Sequence, residues 1–268
     1  MHKIPKNYSI ALQAALEASE EIMRFYQLPL EKEIKSDGSP VTTADLASSI
    51  IISNHLKQTQ IPIIGEESIH ALYSERKHWG EVWIVDPLDG TKEYIKKNGE
   101  FAVNIALVKD RSPIMGIITS PVNRTIIFGG KDLGSYYFTF DQMNDPQSWQ
   151  KLVPSKLNSP LVIATSRSHP DTLEKNFITE LKLKYTSVEY IRKGSSLKFF
   201  DLALGLADIY PRFAPTMEWD IAAGQAILEG IGGQVHFTHS NESLNYNKED
   251  LYNPYFVAKT KAILDDHY

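Results

Sequence analysis

Glu66, Asp86, Asp89 and Asp220 are the acidic positions around which this chain could do chemistry. The run Trp83-Ile84-Val85-Asp86-Pro87-Leu88-Asp89-Gly90-Thr91 is an apolar stretch that ends in two carboxylates separated by a proline turn. Such a turn can aim Asp86, Asp89 and the Leu88 carbonyl at one point. Hard oxygen ligands of this kind suit Mg²⁺, which takes oxygens at about 2.0–2.1 Å in near-octahedral geometry and keeps several waters. Gly90 lets the backbone approach a ligand and offer N–H groups to a phosphate, and Thr91 adds a hydroxyl. Each piece also has a plain structural account. Asp and Gly are ordinary turn residues, Glu66-Glu67 reads equally as a solvated acidic loop, and an acid such as Asp220 is a favourable partner for a helix start.

Three later segments carry polar groups suited to an anionic ligand. Ser166-Arg167-Ser168-His169 follows an apolar run and precedes Pro170, a strand-to-helix junction of the kind where ligands bind; the competing account is a Ser168 cap with a surface His169. Gly194-Ser195-Ser196-Leu197-Lys198 offers a helix N-terminus to an anion, with Lys198 as a point charge, or is a plain helix start. Arg212, in Tyr210-Pro211-Arg212-Phe213, can receive a phosphate bidentately. His236 and His239 would alternate to opposite faces of a strand and are not expected to share a metal. Tyr136, Tyr137, Phe138 and Phe140 read as strand and core residues, not as a base-stacking platform. Lys96-Lys97 could attract phosphate or be solvated.

The whole chain narrows these options. With 268 residues and 42% hydrophobic content it can bury a substantial core in one large domain or two close halves. It has no cysteine, so any metal must take oxygen or imidazole ligands. A formal charge of −5 disfavours a nucleic acid polymer as partner but allows a small phosphorylated ligand, since a metal cluster can reverse the local sign. No stretch approaches the roughly 18 apolar residues of a membrane span, and the start lacks an apolar signal core. The expected location is the cytoplasm, with peripheral association at the inner face of the membrane left open. No obligate protein partner is evident, and oligomeric state is not readable.

The elements that must position these residues follow from periodicity. Ala11, Ala15, Ala18, Ile22 and Phe25 form one stripe of a first helix from about Tyr8 to Gln27. Thr43 is placed to cap a second helix toward Leu56, with Asp45 in its first turn. Short strands are expected at Ile61 to Ile64 and Val82 to Val85, with the acids just past their ends. Further strands at Phe101 to Val108, Ile114 to Thr119 and Thr125 to Phe128 suggest an antiparallel meander. The polar stretch from Asp141 to Pro160 reads as irregular, and we place the boundary between halves 1–150 and 151–268 there. The second half alternates strand and helix: Leu161 to Ala164, Asp171 to Leu183, Ser187 to Ile191, Ser195 to Leu206 and Asp208 to Tyr210. A helix from Trp219 to Glu229 and a strand from Gln234 to Phe237 then follow. The expected class is a layered α/β (α+β) fold.

Taken together, Gly65-Glu66-Glu67-Ser68, Asp86-Pro87-Leu88-Asp89-Gly90-Thr91 and Trp219-Asp220-Ile221-Ala222-Ala223-Gly224 resemble the inositol monophosphatase superfamily over nearly the whole chain. Within it, Thr91-Lys92-Glu93-Tyr94-Ile95-Lys96-Lys97-Asn98-Gly99-Glu100-Phe101 is similar to the CysQ branch of 3′(2′),5′-bisphosphate nucleotidases. The resemblance implies an alternating αβαβα sandwich with the active site between the halves. It implies two or three Mg²⁺ ions: Glu66, Asp86 and the Leu88 carbonyl on one, and Asp86, Asp89 and Asp220 on a second. It further implies a metal-activated water as nucleophile, with Glu66, Thr91 and Asp45 as catalytic residues and Thr91 relaying a proton to Asp45. Gly90, Thr91, Ser166, His169, Gly194, Lys198 and Arg212 would contact the substrate. The inositol branch tends to place a carboxylate where Arg212 stands, and arginine fits a second phosphate. The expected reaction removes the 3′-phosphate of 3′-phosphoadenosine 5′-phosphate, giving AMP and phosphate, with lithium inhibition. An inositol or other sugar phosphatase is the alternative, and a non-catalytic phosphate-sensing protein a further one.

Overall fold

The computed structural model describes residues 4–29, 32–35, 38–167 and 172–266. Helix α1 (Lys6–Tyr26) buries Ala11, Ala15, Ala18 and Ile22, the stripe expected from a 3.6-residue period. A hairpin of β1 (Lys32–Ile34) and β2 (Pro40–Thr42) leads into α2 (Thr43–Leu56). The cap of α2 is Thr42, not Thr43. Asp45 accepts hydrogen bonds from the Thr42 amide at 2.8 Å and the Thr42 hydroxyl at 2.5 Å, so the helix's own acid closes its entry.

The first large sheet contains β3 (Ile63–Gly65), β4 (Glu81–Asp89), β5 (Ala102–Lys109), β6 (Ser112–Ser120), β7 (Thr125–Gly130), β8 (Gly134–Thr139) and β9 (Gln150–Lys151), in that spatial order. Helices α3 (Tyr73–Arg76) and α4 (Thr91–Ile95) interrupt the early strands. β3 runs parallel to β4, and every later pair is antiparallel. Asp86 and Asp89 lie inside β4, not past its end. The register slips between them, Asp86 facing Asn104 and Asp89 facing Ala102, so the proline turn is a bulge in a paired strand. The 141–160 stretch is less irregular than its polarity implies, because β9 adds an edge strand beside β8. Phe138 of β8 stacks on Trp149 at 3.9 Å.

The second half supplies β10 (Leu161–Thr165), α5 (Thr172–Lys184), β11 (Val188–Arg192), α6 (Leu197–Ala203) and β12 (Ile209–Arg212). β13 (Thr216–Met217), α7 (Glu218–Glu229), β14 (Gln234–Phe237), β15 (Tyr252–Asn253), β16 (Phe256–Lys259) and α8 (Lys261–Leu264) complete it. The second large sheet has the order β11-β10-β12-β16-β14. β16, which no sequence signal marked, lies inside it and pairs antiparallel with β12 and β14. α6 stops at Ala203, short of the expected Leu206, where Gly205 takes a left-handed φ of 71°. His239 lies in the turn after β14, so strand alternation governs only His236.

Strand alternation sorts the apolar residues into layers. On β4, Trp83 and Val85 join the core under α1 and α2, while Val82 and Ile84 join the core shared with α6, α7 and the second sheet. Leu161 and Ile163 of β10 turn outward to meet Ile178 of α5 and Ile263 near the C-terminus. The result is an αβαβα sandwich, as expected. α7 seats deeply between the sheets because Gly116 of β6 has no side chain: a Cβ there would lie 2.1 Å from the Ala223 carbonyl oxygen. Gly224 makes the matching accommodation for the Phe199 ring, at 2.3 Å from a would-be Cβ. Among the described residues, no helix is long and apolar enough to cross a membrane.

Candidate active site

The bulge in β4 is held from both sides. Asp86, 1% exposed, accepts the Leu88 amide at 3.0 Å in an Asx-type turn, and Ser48 of α2 donates its hydroxyl to the Pro87 carbonyl at 2.7 Å. Asp89 then receives the Ser196 amide at 2.5 Å and the Asn104 side-chain amide at 3.3 Å. Asp220 is at the third position of α7, where one oxygen accepts the Met217 amide at 2.8 Å. These bonds converge the acids: ligand oxygens of Asp86, Asp89 and Asp220 all lie within 4.8 Å of one another.

Glu66 stands at the end of β3, its amide bonded to the Val85 carbonyl at 3.1 Å. Its carboxylate is paired with Lys35 at 2.9 Å, and Lys35 also binds Glu67 at 2.5 Å. Burial and the neighbouring charges, Glu66 foremost, push the Asp86 carboxyl well above its ordinary range. Burial, then Asp89, pushes Asp220 up to about 8, and burial raises Glu66 against the opposing pull of Lys35. Carboxylates crowded this way repel one another until a cation offsets them. The donor set is all oxygen and anionic, which fits a hard divalent cation such as Mg²⁺.

On the α2 side, the Thr91 hydroxyl donates to Asp45 at 2.8 Å, with the Leu88 carbonyl as a longer alternative acceptor at 3.3 Å. Burial raises the Asp45 carboxyl, while its bonds from Thr42 and Thr91 oppose the rise. Gly90, between the acids and α4, has a φ of 94°; a Cβ there would lie 2.9 Å from the Glu100 carbonyl oxygen. Only glycine meets that backbone without strain.

A cleft of about 410 Å³ opens beside the acids, lined among others by the acidic Asp89 and Asp220 and by the polar and basic Ser166, Lys198 and Arg212. Arg212 donates to the Ser166 hydroxyl at 2.6 Å and to the Pro215 carbonyl at 3.3 Å, while its buried Nε has no partner among the described residues. Lys198, 4% exposed, donates to the Ser195 carbonyl at 2.5 Å, and burial pulls its ammonium down to about 8. Lys96 lines the cleft, whereas Lys97 is bonded to the Tyr26 carbonyl and sits over the Tyr26 ring.

The inositol monophosphatase family matches residues 5–266. The chain belongs to that family. A 3′(2′),5′-bisphosphate nucleotidase CysQ of Salmonella typhimurium is 37% identical over 250 residues, which cover 91% of this chain and 96% of the relative. The CysQ of Haemophilus influenzae is 33% identical over 92% of this chain and 90% of its own length. Among solved structures, CysQ of Bacteroides thetaiotaomicron superposes with a TM-score of 0.86 at 40% identity, covering 96% of this chain and 98% of that one. An inositol monophosphatase from Anabaena superposes at 0.69 with 25% identity, over 96% and 91% of the two chains.

For this family member, the structure brings together most of the residues that the sequence singled out. Asp86, Asp89 and Asp220 form one cluster, with Glu66 beside it and the Thr91–Asp45 pair adjoining. Ser166, Lys198 and Arg212 share the cleft; His169 lies outside the described residues. Gly194, Ser195 and Ser196, at the helix start that the sequence offered either to an anion or as a plain helix start, also line the cleft. Gly194 N–H donates to Glu100 at 2.8 Å and Ser196 N–H to Asp89, so the chain's own carboxylates have taken those donors. Sequence reasoning passed over Asn104, Ser196 and Lys35. Asn104 had a legible signal: it is the one polar residue in Phe101-Ala102-Val103-Asn104-Ile105-Ala106-Leu107-Val108, and a buried amide in such a strand needs partners. Lys35 had none.

Proposed function

We propose that this chain is a Mg²⁺-dependent 3′(2′),5′-bisphosphate nucleotidase that removes the 3′-phosphate of 3′-phosphoadenosine 5′-phosphate, releasing AMP and phosphate. The observation that carries the reading is the cleft itself: carboxylates able to hold cations line one wall, and a lysine and an arginine line another. A substrate with one phosphate to be cut and a second to be gripped matches that pairing. The CysQ relatives support the same substrate class.

Asp86, Asp89, Asp220, Glu66 and the Leu88 carbonyl would hold the ions. Bound Mg²⁺ supplies neutralisation of the phosphate charge and acidification of a water. The chain's part is then proton handling and alignment. Thr91 Oγ can accept a proton from the attacking water while passing its own to Asp45 Oδ1, and the burial that raises Asp45 lets it keep that proton. Gly90 keeps the backbone close to the phosphate. Arg212, which lines the cleft, grips the second phosphate, and Lys198 adds positive charge. The Ser166 hydroxyl, fixed by Arg212, faces the nucleoside.

Phosphate release from 3′-phosphoadenosine 5′-phosphate, inositol 1-phosphate and fructose 1,6-bisphosphate, with Mg²⁺ and with EDTA, tests this reading. The bisphosphate nucleotide should be hydrolysed fastest and only with Mg²⁺. Preference for either sugar phosphate would overturn the nucleotidase assignment.

A further inference from the structure

Asn104 is placed on β5 directly across the bulge from Asp86, is 1% exposed, and has its backbone paired into the centre of the sheet on both sides. Its side chain reaches three different elements. Nδ2 donates to Asp89 Oδ2 at 3.3 Å and to the Trp219 carbonyl at 3.4 Å, the residue just before Asp220. Oδ1 accepts the Ser196 hydroxyl at 2.6 Å. The amide has only one orientation that works. A carboxylate and a carbonyl can only accept, so the nitrogen must face them, and the hydroxyl alone is left to donate to the oxygen. Ser196, so fixed, in turn gives its backbone N–H to the same Asp89 oxygen at 2.5 Å.

We propose that Asn104 is a positioning residue for the cation site, tying Asp89 of β4, the start of α6 and the start of α7 into one geometry. The proposal rests on the reading of Asp86, Asp89 and Asp220 as metal ligands. Asp89 Oδ2 is loaded with two donors, which leaves Oδ1 as the oxygen that would be free to meet a cation. A carboxylate whose second oxygen is pinned cannot rotate away when the ion leaves. The bond to the Trp219 carbonyl sets the first turn of α7, and so Asp220, at a fixed height relative to Asp89. Supporting bonds of this kind change metal affinity or activity by roughly 10–100-fold when removed.

Calorimetric titration of Mg²⁺ into EDTA-stripped, dialysed protein reads this without turnover. Asn104→Ala should weaken Mg²⁺ binding about tenfold or more, while the nucleotide KM at saturating Mg²⁺ stays near that of the parent. Ser196→Ala, which removes only the hydroxyl and leaves the backbone amide in place, should produce a smaller loss and serves if Asn104→Ala does not fold. Parent-like Mg²⁺ affinity in a folded Asn104→Ala, or in Ser196→Ala if that is the only folded variant, would overturn the proposal. Absence of Mg²⁺ binding by the parent itself would instead overturn the metal-site reading, and the proposal with it.

Discussion

The two walls of the cleft are built on different principles. On the acidic wall one oxygen of each carboxylate is held inside the chain: Asp86 is turned by Leu88, Asp89 is pinned by Ser196 and Asn104, and Asp220 caps its own helix. On the basic wall, Arg212 Nε has no partner among the described residues, and Lys198 donates to the Lys193 and Ser195 carbonyls while Asp89, Glu93 and Asp220 act on it as counter-charges. The first wall is preorganised for one kind of occupant, a hard cation that must be met by oxygens at fixed positions. The second keeps bonding capacity for a ligand that arrives from outside. On the proposed function the first wall serves the chemistry and the second the selectivity, so each is open to separate disturbance.

The hardest break is on the acidic wall. Asp89→Asn keeps the shape of the side chain but removes charge from the cluster, and turnover should fall by roughly a thousandfold with the nucleotide KM little changed. Unchanged phosphate release by the pure variant would remove Asp89 from the metal site. The matching change on the basic wall, Arg212→Ala, should raise KM for a bisphosphate nucleotide roughly 10–100-fold, the scale of charge-assisted hydrogen bonds. A nucleotide with only a 3′-phosphate should lose far less, and equal losses for both would show that Arg212 does not read the second phosphate.

A third change tests the scaffold under the acidic wall. Gly116→Ala must push β6 and α7 apart, and overpacking of this kind costs about 1–3 kcal/mol. Denaturant unfolding should show the loss, and Mg²⁺ affinity should fall with it because Asp220 rides on α7. Retained affinity would mean that α7 and the cluster are less tightly coupled than the packing implies.

The last effect concerns protons. Asp220 in the folded, metal-free protein has a pKa near 8, above the ordinary value of about 3.9 for an unfolded chain. An acid raised on folding contributes stability that is fully present below its unfolded pKa and is lost as pH rises through its folded pKa. Asp220→Asn should therefore gain in melting temperature relative to the parent between about pH 5 and pH 9 in EDTA, and Mg²⁺ should narrow that gap. A gap that does not vary with pH would contradict the crowding of charge on this wall.

How much of this was legible beforehand differs by wall as well. Asp86, Asp89 and Thr91 sit within one short run with a proline and a glycine between them, so local chemistry marked them directly. Asp45 had an ordinary explanation as a first-turn acid, and its structural role includes that one: it caps α2 and also takes the Thr91 hydroxyl. The basic wall was legible only as residue types, because nothing in Tyr210-Pro211-Arg212-Phe213 says that Arg212 will meet Ser166. β16 escaped notice because Phe256-Val257-Ala258-Lys259 is a short apolar run with no clean alternation, and its place inside the sheet comes from non-local pairing with β12 and β14.

By itself the sequence determined the ligand chemistry, oxygen without thiolate, and the period-2 and period-3.6 patterns that fill three cores between alternating layers. These are local properties, carried by residue type and spacing. Residue spacing did not by itself bring Asp220 to Asp86 and Asp89, which the family resemblance implied; tertiary structure decided that Asn104 and Ser196 fasten the cluster and that the Gly194 and Ser196 amides serve the chain's own carboxylates. Those outcomes depend on how far α7 sinks against β6 and where the β4 register slips, and both are set by contacts between residues distant in the chain.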